Sequence, residues 1–172
     1  MAPAMKTILV PLDGSELAAR ALGPARELAA ARGASVLLLE VTPLHDPAAH
    51  ASQAAEMERA GRYLAGVADQ LRADGATVLV EVCPGRPAEQ IAEQAALWAS
   101  ELIVMSSHGR SRLGALVHGS VADEVVRLAD RPVLVVPARA GPRPEIGPPA
   151  AEPGQRYFEA APAPPAQAPS AM

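Results

Sequence analysis

The chain has 172 residues, of which 49% are hydrophobic and 2% aromatic, and its formal net charge is −4. This length suits one domain with a real core and is too short for two ordinary domains. The negative charge argues against general nucleic-acid binding, because affinity for the phosphate backbone requires clustered lysine and arginine. A single cysteine, no signal-peptide layout and no apolar stretch near the ~20 residues of a membrane span predict a cytoplasmic protein without a membrane partner.

Short apolar runs alternate along the chain with stretches of helical periodicity. The periodicity predicts, in chain order, a strand at 5–12, a helix at 16–32, a strand at 34–41, a helix at 51–73, a strand at 76–85, a helix at 86–100, a strand at 101–105, a helix at 120–130 and a strand at 131–137. Pro24 lies inside the first of these helices, where it removes a backbone donor, and we expect a kink after Gly23.

This alternation, with strands that are apolar on both faces, predicts an α/β fold. We expect a single open, doubly wound, five-stranded parallel sheet with helices on both faces. In such sheets a ligand binds at the carboxyl ends of the strands, where the strand order reverses. The segments "PLDGS", "VTPL" and "MSSHG" all lie at predicted strand ends.

The composition changes abruptly near the C-terminus. From there on most residues are proline, alanine or glycine, and the apolar periodicity disappears. A segment of this composition does not bury enough apolar surface to offset the entropy of ordering. We therefore predict one folded domain over residues 1–138 and a disordered Pro/Ala-rich tail over residues 139–172.

The loop "SSHGRSRLGALVHGS" joins the fourth predicted strand to the fourth predicted helix. The first N–H groups of a helix lack intrahelical partners and the dipole is positive there, so Gly119 and Ser120 could bind an anion. The alternative is that the glycines supply turn conformations and that Ser120 forms a capping box with Asp123. The loop matches neither a Walker A motif nor the G-x-G-x-x-G of a dinucleotide fold.

Two further residues have open or simple interpretations. Asp13 follows the first strand, where its carboxylate could accept hydrogen bonds from an adenine or a ribose; a turn or helix-capping role beside Ser15 is an equal alternative. Cys83, at a strand end, is most simply a small buried hydrophobe. No zinc-ligand spacing is present, and we predict no metal site in the protein itself.

Three segments resemble one known family: "ILVPLDGSELAARAL", "VCPGRPAEQIAEQA" and "LIVMSSHGRSRLGALVHGSVADEVVRLADRPVLVVP". They are similar, in this order from about Lys6 to Pro137, to the universal stress protein family. The resemblance implies an adenine nucleotide alpha hydrolase-like fold. Nucleotide-binding members carry the pattern G-2x-G-9x-G-[ST], which Gly109, Gly119 and Ser120 match here. Ser106 replaces the first glycine and adds a Cβ where a phosphate would approach.

The resemblance also implies a binding site and a function. Four residues would hold the adenosine and six would hold the ribose and phosphates: Pro11, Leu12, Asp13 and Val41 for the former, and Met105, Ser106, Gly109, Gly119, Ser120 and Val121 for the latter. The implied ligand is ATP with Mg²⁺, and the implied role is a nucleotide-dependent switch in the stress response.

The family also dimerises through its last strand, here Pro132 to Pro137, and we expect a homodimer. No residue stands out as a general base for hydrolysis, so we expect no enzyme. A second hypothesis assigns a different kind of function, that of an interaction protein. In it the chain is a dimeric adaptor of the same fold, which binds no nucleotide because Ser106 closes the phosphate site. Fold analogy alone allows a third reading, an adenylyl-transfer enzyme.

Overall fold

The computed structural model describes residues 6–44, 50–107 and 120–137. Five strands form one all-parallel sheet in the order β3-β2-β1-β4-β5. The elements, in chain order, are β1 (Thr7–Leu12), α1 (Glu16–Ala19), α2 (Leu22–Arg32), β2 (Ser35–Thr42), α3 (His50–Ala73), β3 (Val78–Pro84), α4 (Pro87–Leu97), β4 (Leu102–Ser107), α5 (Ser120–Leu128) and β5 (Val133–Pro137). The predicted α/β class and five-stranded parallel sheet are confirmed.

The first predicted helix is two helices. The expected kink is present, but it lies at Arg20–Ala21 and not after Gly23. The cause is still Pro24, which has no N–H to donate and whose ring clashes with the carbonyl four residues earlier, that of Arg20. Helical bonding restarts one residue later, where the Ala25 amide donates to the Ala21 carbonyl at 3.0 Å.

Apolar side chains fill both faces of the sheet. On one face, alternate residues of β1 and β2 pack against α1, α2 and α3, with Ile8, Leu38 and Leu64 among the fully buried side chains. On the other face, Leu9 and Trp98 belong to a second buried cluster that includes residues of α4 and α5. The three central strands, β1, β2 and β4, are therefore covered on both sides, which explains why their sequences are nearly continuous apolar runs.

The strand order reverses between β1 and β4. β1 pairs with β2 along all six of its residues. Its ladder with β4 joins only Ile8 to Leu102 and Leu9 to Ile103, at the amino ends of the two strands. Both strands continue beyond these pairs, so the sheet's switch point opens toward its carboxyl edge, where a ligand crevice is expected.

Helix α3 extends beyond the body of the sheet at this carboxyl edge. None of its side chains from Ala51 to Arg59 is buried, whereas Ala60, Leu64 and Leu71 are. The N-terminal half of α3 thus flanks the carboxyl end of β2, where Gln53 bonds to Thr42 and Arg59 to Glu40. Within the three described ranges, no helix is long and apolar enough to cross a membrane. The predicted tail, residues 139–172, lies outside those ranges.

Candidate functional site

The expected adenosine residues lie together at the carboxyl edge. Pro11 and Leu12 end β1, Asp13 follows them, and Val41 precedes the last residue of the neighbouring β2. Pro11 and Val41 are half-buried, Leu12 is buried, and Asp13 is exposed. The parallel register pairs Leu12 with Glu40, which places Asp13 and Val41 at the same height of the sheet.

Asp13 has the turn role that was one of its two interpretations. Its Oδ1 accepts hydrogen bonds from the Ser15 backbone N–H at 3.0 Å and from the Ser15 hydroxyl at 2.6 Å. The Ser15 Oγ in turn accepts from the Ala18 N–H at 3.1 Å and caps α1. Gly14 between them has φ +78, a left-handed conformation that favours glycine. These bonds hold the Asp13 carboxylate at the mouth of the switch point.

On the other side of the switch point, Met105 and Ser106 lie near the end of β4. Both are buried, with Ser106 only 5% exposed. The Ser106 Oγ is buried and makes no hydrogen bond to any residue that the structure describes. A buried hydroxyl without a partner is costly, which makes this atom a candidate for bonding to a ligand at the crevice.

The phosphate-side residues are only partly within the described chain. Ser120 begins α5, and Val121 in its first turn is half-buried. Gly109 and Gly119 lie outside the described residues, as does the side chain of Ser120. Helix α5 ends shortly before β5 begins at the amino edge of the sheet, so its N-terminus points toward the carboxyl edge.

The universal stress protein family profile matches residues 5–137. The chain belongs to this family. A universal stress protein of Thermus aquaticus is 35% identical over 136 residues, which cover 76% of this chain and 98% of that one. These matches confirm the family that the sequence segments indicated.

Solved structures of universal stress proteins share the fold. That of MJ0577, a protein of Methanocaldococcus jannaschii, has a TM-score of 0.70 and 27% identity, covering 80% of this chain and 99% of its own. A universal stress protein in complex with cAMP has a TM-score of 0.63 and 26% identity, covering 77% of this chain and 97% of its own. The second of these relatives therefore binds an adenine nucleotide.

This universal stress protein also has a polar cluster around a buried carboxyl, near Asp13, that sequence reasoning missed. Glu40 is 3% exposed, and its Oε1 accepts a hydrogen bond from the Arg59 guanidinium of α3 at 2.8 Å. Its Oε2 and the Tyr63 hydroxyl, also on α3, are buried and lack hydrogen-bond partners within the described chain. The one indication of this cluster in the sequence was a single carboxylate, Glu40, inside the apolar run of β2.

Burial and charge shift the titration of this cluster. Desolvation raises the pKa of the Glu40 carboxyl above its usual value; the Arg59 guanidinium opposes the increase, and the negative charge of Asp13 adds to it. Desolvation, Glu40 and Asp13, in that order, raise the pKa of the Tyr63 hydroxyl. Glu40, Tyr63 and Asp13 are thus close enough to act on one another electrostatically.

Hydrogen bonds from both sides hold the end of β2 in place. The buried Thr42 Oγ1 accepts from the Gln53 side chain of α3 at 3.1 Å, and the Thr42 carbonyl accepts from the Gly85 N–H at 2.9 Å. These bonds tie β2 to α3 and to the segment after β3. Val41, one residue before Thr42, is thereby held at a defined position at the carboxyl edge.

Cys83 has no feature of a reactive thiol. It is half-buried and packs against the α4 side of the core. Burial, with smaller effects from Glu81 and Glu93, raises the pKa of its thiol to about 11, so the thiol stays protonated near neutral pH. No cluster of metal-ligating side chains occurs in ranges 6–44, 50–107 and 120–137.

Proposed function

We propose that this universal stress protein binds ATP, with Mg²⁺, at the carboxyl edge between β1 and β4, and that it acts in the cytoplasm as a nucleotide-dependent switch of the stress response. The observation that carries the proposal is the switch point itself. Asp13, Val41 and Ser106 lie at one edge of the sheet, and the N-terminus of α5 points toward the same edge. A relative with 26% identity that is in complex with cAMP supports an adenine ligand.

The residues at this edge suit the chemistry of the ligand. The carboxylate of Asp13 can accept hydrogen bonds from ribose hydroxyls, and the half-buried Pro11 and Val41 can contact the base. The Ser106 hydroxyl, a buried group that needs a partner, can donate to a ribose or phosphate oxygen. Backbone N–H groups at the start of α5 would receive the phosphates. The magnesium ion would supply charge neutralisation between phosphate oxygens.

We infer that ligand turnover is slow or absent, so that the protein is a binding protein and not an enzyme. Asp13 would lie at the adenosine end of the ligand, opposite the γ-phosphate, and is therefore badly placed to activate water there. The switch would then depend on which nucleotide is bound. We further propose that residues 1–138 form the functional domain and residues 139–172 a separate tail.

Ser106 favours one competing function, a dimeric adaptor that binds no nucleotide. The Ser106 Cβ occupies a buried position where nucleotide-binding relatives have glycine, and it could close the phosphate site. In the proposed function, by contrast, the Ser106 hydroxyl donates a hydrogen bond to the nucleotide. The two readings differ in what the glycine variant would do.

Calorimetric titration of ATP and Mg²⁺ into the wild type and Ser106→Gly tests the function and its alternative together. We expect both proteins to bind and their dissociation constants to agree within about tenfold, because the variant loses one hydrogen bond and gains room for the phosphate. A melting-temperature shift with ATP would accompany binding. Binding by the variant alone would establish the adaptor reading. No heat and no melting shift for either protein at millimolar ATP would refute nucleotide binding.

We also propose a homodimer through β5. This strand is at the edge of the sheet, and Leu134, its second residue, is 39% exposed. Val126 and Leu128 of the adjacent α5 are 54% and 50% exposed. An open apolar edge strand is an aggregation hazard unless a partner covers it, and pairing two copies of β5 would cover it symmetrically.

Leu134→Lys is expected to convert the dimer to a monomer. A lysine at this position of each β5 would place two like charges in the interface and remove an apolar contact. Size-exclusion chromatography with light scattering should give about twice the 17.7 kDa chain mass for the wild type and about once for the variant. Leu44→Lys changes an exposed leucine after β2 and should remain dimeric. A dimeric Leu134→Lys protein would place the interface elsewhere.

A further inference from the structure

The polar cluster formed by the buried Glu40, the exposed Arg59 and the half-buried Tyr63 has a position that the proposed ATP site does not explain. Glu40 precedes Val41 in β2 and pairs in register with Leu12, the residue before Asp13. It therefore lies beneath the adenosine end of the crevice. Its side chain faces inward toward α3, which contributes Arg59 and Tyr63.

We propose that Glu40 is a proton-linked residue of the nucleotide site, so that binding of an anionic nucleotide is accompanied by proton uptake at Glu40 and is tighter at lower pH. This inference rests on the proposed function. It concerns a residue that does not touch the ligand and acts on it through charge and through the end of β2.

The first step is that only one oxygen of the Glu40 carboxylate has a hydrogen-bond partner among the described residues. Arg59 bonds to one of its oxygens, and the other oxygen is buried without a hydrogen-bond partner among the described residues. The Arg59 side chain is largely exposed, so solvent screens its charge and weakens the compensation. A buried carboxylate in this condition takes up a proton more readily than an exposed one.

The second step is that the surrounding charges favour the protonated form of Glu40. The groups that act on it are Arg59 and Tyr63 from α3 and Asp13 from the loop after β1; its register neighbour on β3 is the uncharged Val82. Only Arg59 is positive. Asp13 already opposes ionisation of Glu40, and its own bonds with Ser15 keep it at the crevice.

The third step is that a bound nucleotide would further favour the protonated form of Glu40. Its phosphates bring negative charge to the edge of the sheet, and the bound base excludes water from the region above Glu40. Both changes disfavour the Glu40 carboxylate, so the bound protein holds a proton more tightly than the free protein does. By reciprocity, a proton on Glu40 increases the affinity for the nucleotide by the same factor.

Glu40→Gln is the decisive variant. Glutamine keeps the shape of the side chain and an oxygen that can accept from Arg59, but it removes the titration. We expect the wild-type affinity for ATP to increase about fivefold more than that of Glu40→Gln when the pH falls from above to below the Glu40 titration. The phosphates of ATP titrate equally in both experiments, so their contribution cancels in the comparison.

Calorimetry in two buffers of different ionisation enthalpy counts the protons taken up on binding. We expect more uptake by the wild type than by Glu40→Gln. Glu81→Gln is the matched control, because Glu81 on β3 is a part-buried carboxyl whose pKa is raised by burial, without a contribution from Asp13; it should match the wild type. Equal uptake in the wild type and Glu40→Gln, with ATP bound to both, would overturn this inference alone. Absence of ATP binding by the wild type would overturn the proposed function and this inference with it.

A measurement without ligand separates the titration of Glu40 from nucleotide binding. Because the folded-state pKa of Glu40 is raised, its stabilising contribution is fully present below the unfolded-state value, and it is lost as the pH rises through the folded-state value. As the pH rises from the unfolded-state pKa to the folded-state pKa of Glu40, the unfolding free energy of the wild type should therefore fall relative to that of Glu40→Gln. If the difference in unfolding free energy between the wild type and Glu40→Gln did not change with pH, Glu40 would not titrate as required and the inference would be overturned.

Discussion

Gly119→Glu is expected to abolish ATP binding while leaving the sheet folded. Gly119 lies outside the described residues, but it directly precedes Ser120, the first residue of α5. A carboxylate there would meet the phosphates at the helix N-terminus and reverse the favourable field. Two like charges ~4 Å apart at an effective dielectric constant of ~20 repel by about 4 kcal/mol, which corresponds to roughly a thousandfold loss of affinity.

The matched control is Gly114→Glu, which adds the same charge to the same loop, where the family pattern requires no glycine. Calorimetry should show binding by this control and none by Gly119→Glu, with equal far-ultraviolet circular dichroism for both proteins. Normal ATP binding by Gly119→Glu would mean that the phosphate site lies elsewhere. Equal loss in the two variants would point to the net charge of the loop and not to its glycine at the helix start.

Leu64→Ala is expected to have the largest effect on stability. Leu64 is fully buried on α3, where it packs into the core on one face of the sheet. Truncating a buried leucine removes its transfer free energy and leaves a cavity, together worth about 2–5 kcal/mol. Urea unfolding should give a lower midpoint with an unchanged slope.

Leu44→Ala provides the comparison, because Leu44 is 69% exposed. Its unfolding free energy should stay within about 0.5 kcal/mol of the wild type. The two variants also test how stability and binding are related. Under conditions where Leu64→Ala is still folded, it should bind ATP, since its side chain is in the core and not at the carboxyl edge. Equal stability of the two variants would contradict the packing of α3 described above.

The strands and the sheet class could be predicted because both depend on local pattern. Each strand is a short apolar run ended by glycine, proline or a polar residue, and strands covered on both faces have no polar alternation to obscure them. The position of the helix break could not be read from Pro24 alone. The proline acts on a carbonyl four residues earlier, so the break appears at Arg20–Ala21.

The candidate site could be located from the sequence only where it follows the strand ends. The rule that parallel strands end at one edge predicts that the segments containing Asp13, Val41 and Ser106 lie together, whereas the roles of Val41 and Ser106 follow only from the family resemblance. Glu40 was missed because its importance depends on Arg59, which lies 19 residues away on another element. The hydrogen bonds of Asp13 with Ser15 could be named as one of two alternatives, but choosing between them required the geometry of the turn.

The parallel arrangement of the sheet has a practical consequence for any tethered form of the protein. Thr7 begins β1 at the amino edge, whereas Pro137 ends β5 at the carboxyl edge. A sensor surface or fusion partner attached upstream of Thr7 would leave the crevice facing solution. Attachment immediately after Pro137 would bring the foreign surface to the carboxyl edge, where the proposed nucleotide would enter. Immobilisation at these two points should therefore give different apparent association rates for the proposed nucleotide.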